Sequence, residues 1–165
     1  RGAMLPSEAQ WEKAARGGLQ IPNPRYPISN IQLVANPNLE RRYPWGDKFD
    51  KNKCNTGESG ISDTTPVGKY SPAGDSPYGV ADMAGNVWEW TSSLFSPYPY
   101  KAEDGREDLE AKGGRRVLRG GSFYYLQDYA RCSYRSSHAP GGEWYYFGCR
   151  VGWCAAPALP LDSGF

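Results

Sequence analysis

Asp82-Met83-Ala84-Gly85-Asn86-Val87-Trp88-Glu89-Trp90 is the stretch from which the fold is read. From Val87 to Thr91 large and polar side chains alternate, the period of a β-strand. Upstream, Leu5-Pro6-Ser7-Glu8-Ala9-Gln10-Trp11 reads as the start of a helix. Ser7 is a good N-cap, and Gln10 stands three residues later, at the capping-box spacing. Trp11, Ala14 and Ala15 fall on one helix face, Glu8, Glu12, Lys13 and Arg16 occupy the rest, and Gly17-Gly18 ends the helix. Downstream, Val117-Leu118-Arg119 and Gly148-Cys149-Arg150-Val151 read as short strands. Between these elements the chain is loop. Gly18 to Asp50 shows no clear period, with residues 22–44 reading as a surface insertion, residues 51–80 carry turn signals such as Thr56-Gly57 and Pro72-Ala73-Gly74, Lys101 to Gly114 is a charged exposed loop, and Pro157 to Phe165 is a tail.

Composition agrees with a loop-rich chain built on aromatic side chains. Among 165 residues there are 20 Gly, 14 Pro, 12 Tyr and 6 Trp, and only 39% are hydrophobic, so large rings must supply much of the core. That length suits one domain. The net charge is +1, from 19 basic and 18 acidic residues, which offers nothing to attract nucleic acid or an anionic membrane. No apolar run approaches the roughly 20 residues of a membrane-spanning helix. Of the cysteines Cys54, Cys132, Cys149 and Cys154, none forms a C-x-x-C pair; Cys149 and Cys154 could close a small disulfide loop or, like the others, stay free.

Five segments, in order, resemble the formylglycine-generating (sulfatase-modifying) family. They are Leu5 to Glu12 with Ala14-Ala15-Arg16-Gly17; Tyr43-Pro44-Trp45-Gly46; Asp82 to Trp90; Arg119-Gly120-Gly121-Ser122; and Gly148-Cys149-Arg150-Val151. The resemblance implies an α+β fold, the C-type lectin fold of the formylglycine-generating-enzyme type, loop-rich with short twisted antiparallel strands. It also implies one domain over residues 1–165. Family domains start well upstream of the first helix, so the chain is expected to be a fragment, or a domain whose N-terminal part is missing.

Oxidases of this family carry two cysteines at the third and eighth positions past the serine of Arg-Gly-Gly-Ser. Here those positions hold Tyr125 and Ala130. Thiolates are what hold Cu(I) and form the exchangeable disulfide, so no copper is expected. His138 is the only histidine, which excludes a multi-histidine metal centre in one subunit, and there is neither a nucleophile elbow nor a phosphate loop. On these grounds no catalytic residue is assigned and the chain is expected not to be an enzyme. A catalytic or regulatory family member with unrecognised chemistry is the alternative.

The segment from Tyr124 to Phe147 interleaves tyrosine and tryptophan with serine and glycine, the chemistry of antibody paratopes. These rings could simply fill a core. Tyr124-Tyr125 and Tyr145-Tyr146-Phe147 are consecutive, however, so some must face outward. The stretch also resembles the variable region of bacterial or phage target proteins diversified by retroelements that mutate template adenines. Randomised AAC or AAT codons cannot encode Lys, Glu, Gln, Met or Trp, and between Tyr124 and Cys149 only Gln127, Glu143 and Trp144 are of that set. Gln127 falls on a fixed position of the usual pattern; Glu143 and Trp144 do not fit it. The resemblance implies a variable ligand-binding region over residues 115–151. Its site residues are Tyr124, Tyr125, Leu126, Asp128, Tyr129, Tyr134, Ser136, Ser137, His138, Ala139, Gly141, Gly142, Trp144, Tyr145 and Tyr146. The partner would be a protein or a glycan.

Family members can bind calcium through the segment that matches Asp82 to Glu89. By resemblance the ligands would be the carboxylates of Asp82 and Glu89 and the carbonyls of Gly85 and Val87, an all-oxygen set that suits a structural Ca²⁺. The competing reading pairs Asp82 and Glu89 with arginines such as Arg119 or Arg150.

Overall fold

The structure, a computed structural model, describes residues 2–23, 25, 30–101 and 103–153. Its elements are β1 (Ala3–Met4), α1 (Glu8–Arg16), β2 (Gln20–Pro22), β3 (Leu33–Ala35), β4 (Trp88–Leu94), β5 (Arg116–Arg119), β6 (Ser136–His138), β7 (Phe147–Cys149) and β8 (Gly152–Trp153). Single 3-10 turns lie at Gly57–Ser59 and Gln127–Ala130.

Helix α1 forms for the local reasons its sequence suggests. The Ser7 hydroxyl accepts from the Gln10 amide at 3.2 Å, and the Gln10 side chain accepts from the Ser7 amide at 2.9 Å, a complete capping box. Gly17 ends the helix at φ 82°, where its amide returns to the Lys13 carbonyl. Trp11 and Ala15 are buried with Met83 and Cys132 in the main apolar cluster. Fully burying a side chain of Met83's size contributes about 1.5–3 kcal/mol.

A four-stranded sheet in the order β6-β5-β4-β7 lies against this helix. Its pairings, Glu89 with Arg119, Trp90 with Leu118, Val117 with Ser137, and Trp88 with Phe147, sort the residues into two faces. The inner face carries Glu89, Thr91, Ser93, Val117, Arg119 and Ser137, all buried. It meets α1 through the Trp11 indole on Glu89 at 2.6 Å and the Glu8 amide on Ser93 at 2.8 Å. The outer face carries Trp88, Trp90, Leu118, Ser136, His138, Phe147 and Cys149. One pair departs from the antiparallel arrangement expected: β4 and β7 run parallel, because the chain between them crosses through β5 and β6.

Two local expectations are corrected. Glu8 is not on a solvated helix face but buried, receiving Arg135 at 2.5 and 2.7 Å and Arg119 at 3.3 Å. The insertion at residues 22–44 is not periodless throughout, since β3 pairs with β2 in register Gln20 with Ala35. It ends at Tyr43, which is buried and stacked on Trp45. Within it, residues 24 and 26–29 lie outside the described residues, as do Cys154, and with it the proposed Cys149–Cys154 bridge, and the tail. Among the described residues Cys54, Cys132 and Cys149 are free thiols.

Candidate ligand-binding face

Trp88 forms the floor of the site. It is buried on the outer side of the sheet under Tyr125, Tyr129 and Tyr134, whose ring centres lie 5.7, 6.4 and 5.9 Å from its own. Above them Tyr146 stands between Tyr124 and Trp144 in a three-ring stack, at 5.6 Å and 14° on one side and 5.8 Å and 17° on the other. Tyr145 meets Tyr124 and Tyr146 edge-on. Tyr124 is 61%, Tyr145 68% and Trp144 49% exposed, so a continuous ring surface faces solvent.

The scaffold holds the loop that supplies these rings. Gly120 and Gly121 take φ of 92° and 73°, a turn that side chains disfavour, and a Cβ on Gly121 would sit 3.0 Å from the backbone of Tyr129 and Ala130. The Gly57 amide donates to the Tyr125 carbonyl at 2.9 Å, the Gln127 amide to Glu58 at 2.9 Å, and the Cys132 amide to the Arg42 carbonyl at 2.8 Å. Backbone position is thus fixed by framework contacts, while the side chains of Tyr124 and Leu126 project outward.

Chemically the face is neutral and aromatic. Burial, helped by a hydrogen bond with Tyr125, pushes the Tyr146 hydroxyl up to about 12. Burial likewise raises Tyr134, beside Tyr129. These phenols stay protonated, able to donate and accept hydrogen bonds around apolar rings. Behind the stack, Trp88, Leu118, Tyr125, Tyr129, His138 and Arg115 enclose a cavity of about 240 Å³.

Of the residues expected to bind, Tyr124, Tyr125, Tyr129, Tyr134, Trp144, Tyr145 and Tyr146 form one connected ring cluster. Ser136 and His138 join it at the rear cavity, where the His138 ring contacts Trp144 and Phe147. Gly142 packs under that histidine; a Cβ there would lie 2.3 Å from its Nδ1. Leu126, Ala139 and Gly141 are exposed, and Asp128, also exposed, pairs with Arg42 at 2.6 Å. Ser137 also borders the rear cavity, where its carbonyl accepts from Arg115, although as the middle residue of β6 it pairs with Val117 and is only 8% exposed. Trp88 lies outside the expected region 115–151 and was missed, while Arg115, Leu118 and Phe147 lie inside it but were not singled out. The alternation of β4, which puts Trp88 and Trp90 on one side, carried the signal for the floor.

Of the four residues expected to hold calcium, Glu89 has its carboxylate committed to an arginine. Both Glu89 oxygens face the Arg150 guanidinium, at 2.5 and 2.6 Å, and one also takes the Trp11 indole. A cation at Glu89 would have to displace this half-buried guanidinium. Asp82 instead accepts from the Gly68 amide at 2.6 Å. Gly85 lies against Asn55, whose carbonyl a Cβ would approach to 2.2 Å. Val87 packs its side chain on Gly148.

The family described as sulfatase-modifying factor enzyme 1-like domain matches residues 1–155. The formylglycine-generating enzyme of Mus musculus is 36% identical over 162 residues, covering 96% of this chain and 40% of its own length. That of Streptomyces coelicolor is 38% identical over 181 residues, covering 99% and 49%. The chain therefore spans less than half the length of these relatives. Among solved structures, Treponema denticola variable protein 1 superposes with a TM-score of 0.68 at 28% identity, covering 92% of this chain and 47% of that one. No described helix is long and apolar enough to cross a membrane. The expectation that the chain is not an enzyme is overturned by the likeness to the two formylglycine-generating enzymes, which extends over nearly all of it. That expectation rested on two side-chain positions and on missing motifs, and the rest of the chain follows the enzymes. On this evidence the chain belongs to the sulfatase-modifying factor enzyme 1-like family and has its loop-rich α+β fold.

Proposed function

We propose that the chain binds a macromolecular ligand through the outer sheet face, and that residues 115–151 are the part diversified by a retroelement. The observation that carries this reading is the exposed stack of Tyr124, Tyr146 and Trp144 with Tyr145 beside it, held by a backbone whose fixing contacts come from elsewhere. Rigid rings of this kind supply contact area at small entropic cost. The likeness to a protein called variable supports it. The test is to sequence the gene in independent isolates together with any nearby template repeat. Differences confined to codons such as those of Tyr124, Asp128 and Tyr145, with adenines at the matching template positions, support the proposal. Differences spread evenly over residues 1–165 contradict it.

Likeness to two formylglycine-generating enzymes favours a second reading, catalysis or regulation within that family. Oxygen uptake with a cysteine-containing peptide and copper would establish it. Absence of uptake with the full-length protein would count against it.

A further inference from the structure

A second depression on the outer face narrows the class of partner. Its volume is about 700 Å³, and Met4, Leu5, Trp90, Leu109, Ala111 and Cys149 line it. Trp90, Gly142 and Cys149 are shared with a groove that continues to Trp144, Tyr145 and Phe147, so the depression opens directly onto the ring surface. Leu109, at its rim, is 55% exposed.

Its chemistry differs from that of the tyrosines. Among the described residues Arg116 is the one charged lining residue, and its guanidinium is already used: Nη1 donates to the Ser92 and Asp108 carbonyls and Nη2 to the Ala111 carbonyl at 3.2 Å. A sugar placed here would give up water for hydroxyl partners that the walls supply poorly. An apolar side chain would lose nothing by leaving water and would gain contact with Trp90 and Leu5.

We infer that the partner is a protein, and that it seats a cluster of bulky apolar side chains in this socket while its surroundings cover the aromatic face. The inference rests on the ligand-binding reading above and adds the partner's class. Most of the socket's lining, from Met4 and Leu5 to Trp90, Leu109 and Ala111, lies outside residues 115–151, and of the individual residues proposed to vary only Gly141 and Gly142 border it. Recognition is thus divided between a constant apolar anchor and a changing ring surface.

The probe is a random peptide library displayed on phage and selected on the full chain, with a glycan array in parallel. Peptides with recurrent neighbouring Trp, Phe or Leu residues are expected, each bound at least about ten-fold more weakly by Ala111→Trp, which intrudes on the socket, and by Leu109→Lys, which charges its rim. Leu109→Lys alters an exposed side chain, so the comparison survives if Ala111→Trp misfolds. Loss of binding in Tyr145→Ser but in neither socket variant overturns the inference and leaves the aromatic reading standing. Loss in the socket variants alone would instead overturn the aromatic reading. An empty peptide selection, or binding to glycans only, also overturns the inference. In a Cys154→Ser background, iodoacetamide should reach Cys149 in the free chain. Protection at every protein concentration would mean that the chain fills its own socket, and protection only when concentrated that a second copy does; either result contradicts the proposal.

Discussion

The inner face of the sheet sets Glu89, Val117 and Arg119 against helix α1, whereas the outer face sets Trp88, Leu118 and Phe147 beneath rings carried by loops. Consecutive residues of β4 and β5 serve the two faces in turn. On the inner side nearly every group is committed. Arg119 is fully buried over the Trp11 ring at 5.1 Å and reaches Glu8, Glu12 and the Cys132 carbonyl. On the outer side the backbone is committed but Tyr124, Leu126 and Tyr145 are more than half exposed. The contrast teaches how one small domain can keep its fold while a surface changes: cooperative, charged contacts are concentrated on one face and tolerant side chains on the other.

The contrast can be broken most sharply at Arg119. Arg119→Ala leaves Glu8 and Glu12 short of a buried partner, and a loss of about 3–5 kcal/mol is expected in urea unfolding. Met83→Ala, in the apolar cluster behind the sheet, should cost about 2–5 kcal/mol by the same measurement. Ser7→Ala removes half of the capping box, with an expected loss of about 1 kcal/mol. Tyr145→Ser on the outer face should change stability by less than about 0.5 kcal/mol while weakening any bound ligand. A loss as large as that of Met83→Ala would erase the distinction between the faces.

Thiol chemistry sharpens the same comparison. Burial pushes the Cys54 and Cys132 thiols up to about 12, while Cys149 is exposed on the outer face. In a Cys154→Ser background at pH 8, a disulfide reagent should modify one thiol quickly, and two more only on unfolding. Because the folded values lie above the ordinary thiol value of 9.0, both groups favour the folded state fully below that pH. That contribution fades as the pH rises from 9.0 towards about 12, so alkaline scans should show falling stability in that window.

What could be read from the sequence follows the range of the interactions. Helix α1 was legible to its caps because Ser7, Gln10 and Gly17 act within a few residues. Glu8 was not, since its partners Arg119 and Arg135 lie 111 and 127 positions away. The hairpin of β2 and β3 was hidden because three residues on each strand give too little alternation to detect. The aromatic site was visible as composition, and consecutive rings correctly implied outward ones. Strand β6 was hidden because Ser136-Ser137-His138 has no apolar contrast to mark it. The fate of Glu89 was decided by Arg150, 61 residues away, which the local segment Asp82 to Glu89 could not disclose.

The claim that the outer face is free to vary is tested most directly by two libraries displayed on yeast. One randomises Tyr124, Leu126, Asp128 and Tyr145, and the other Thr91, Ser93, Val117 and Arg119. The readout is the fraction of clones that resist protease. Most outer-face clones should survive and few inner-face clones should. Equal collapse of both libraries would contradict the division of the sheet into a holding face and a face free to vary.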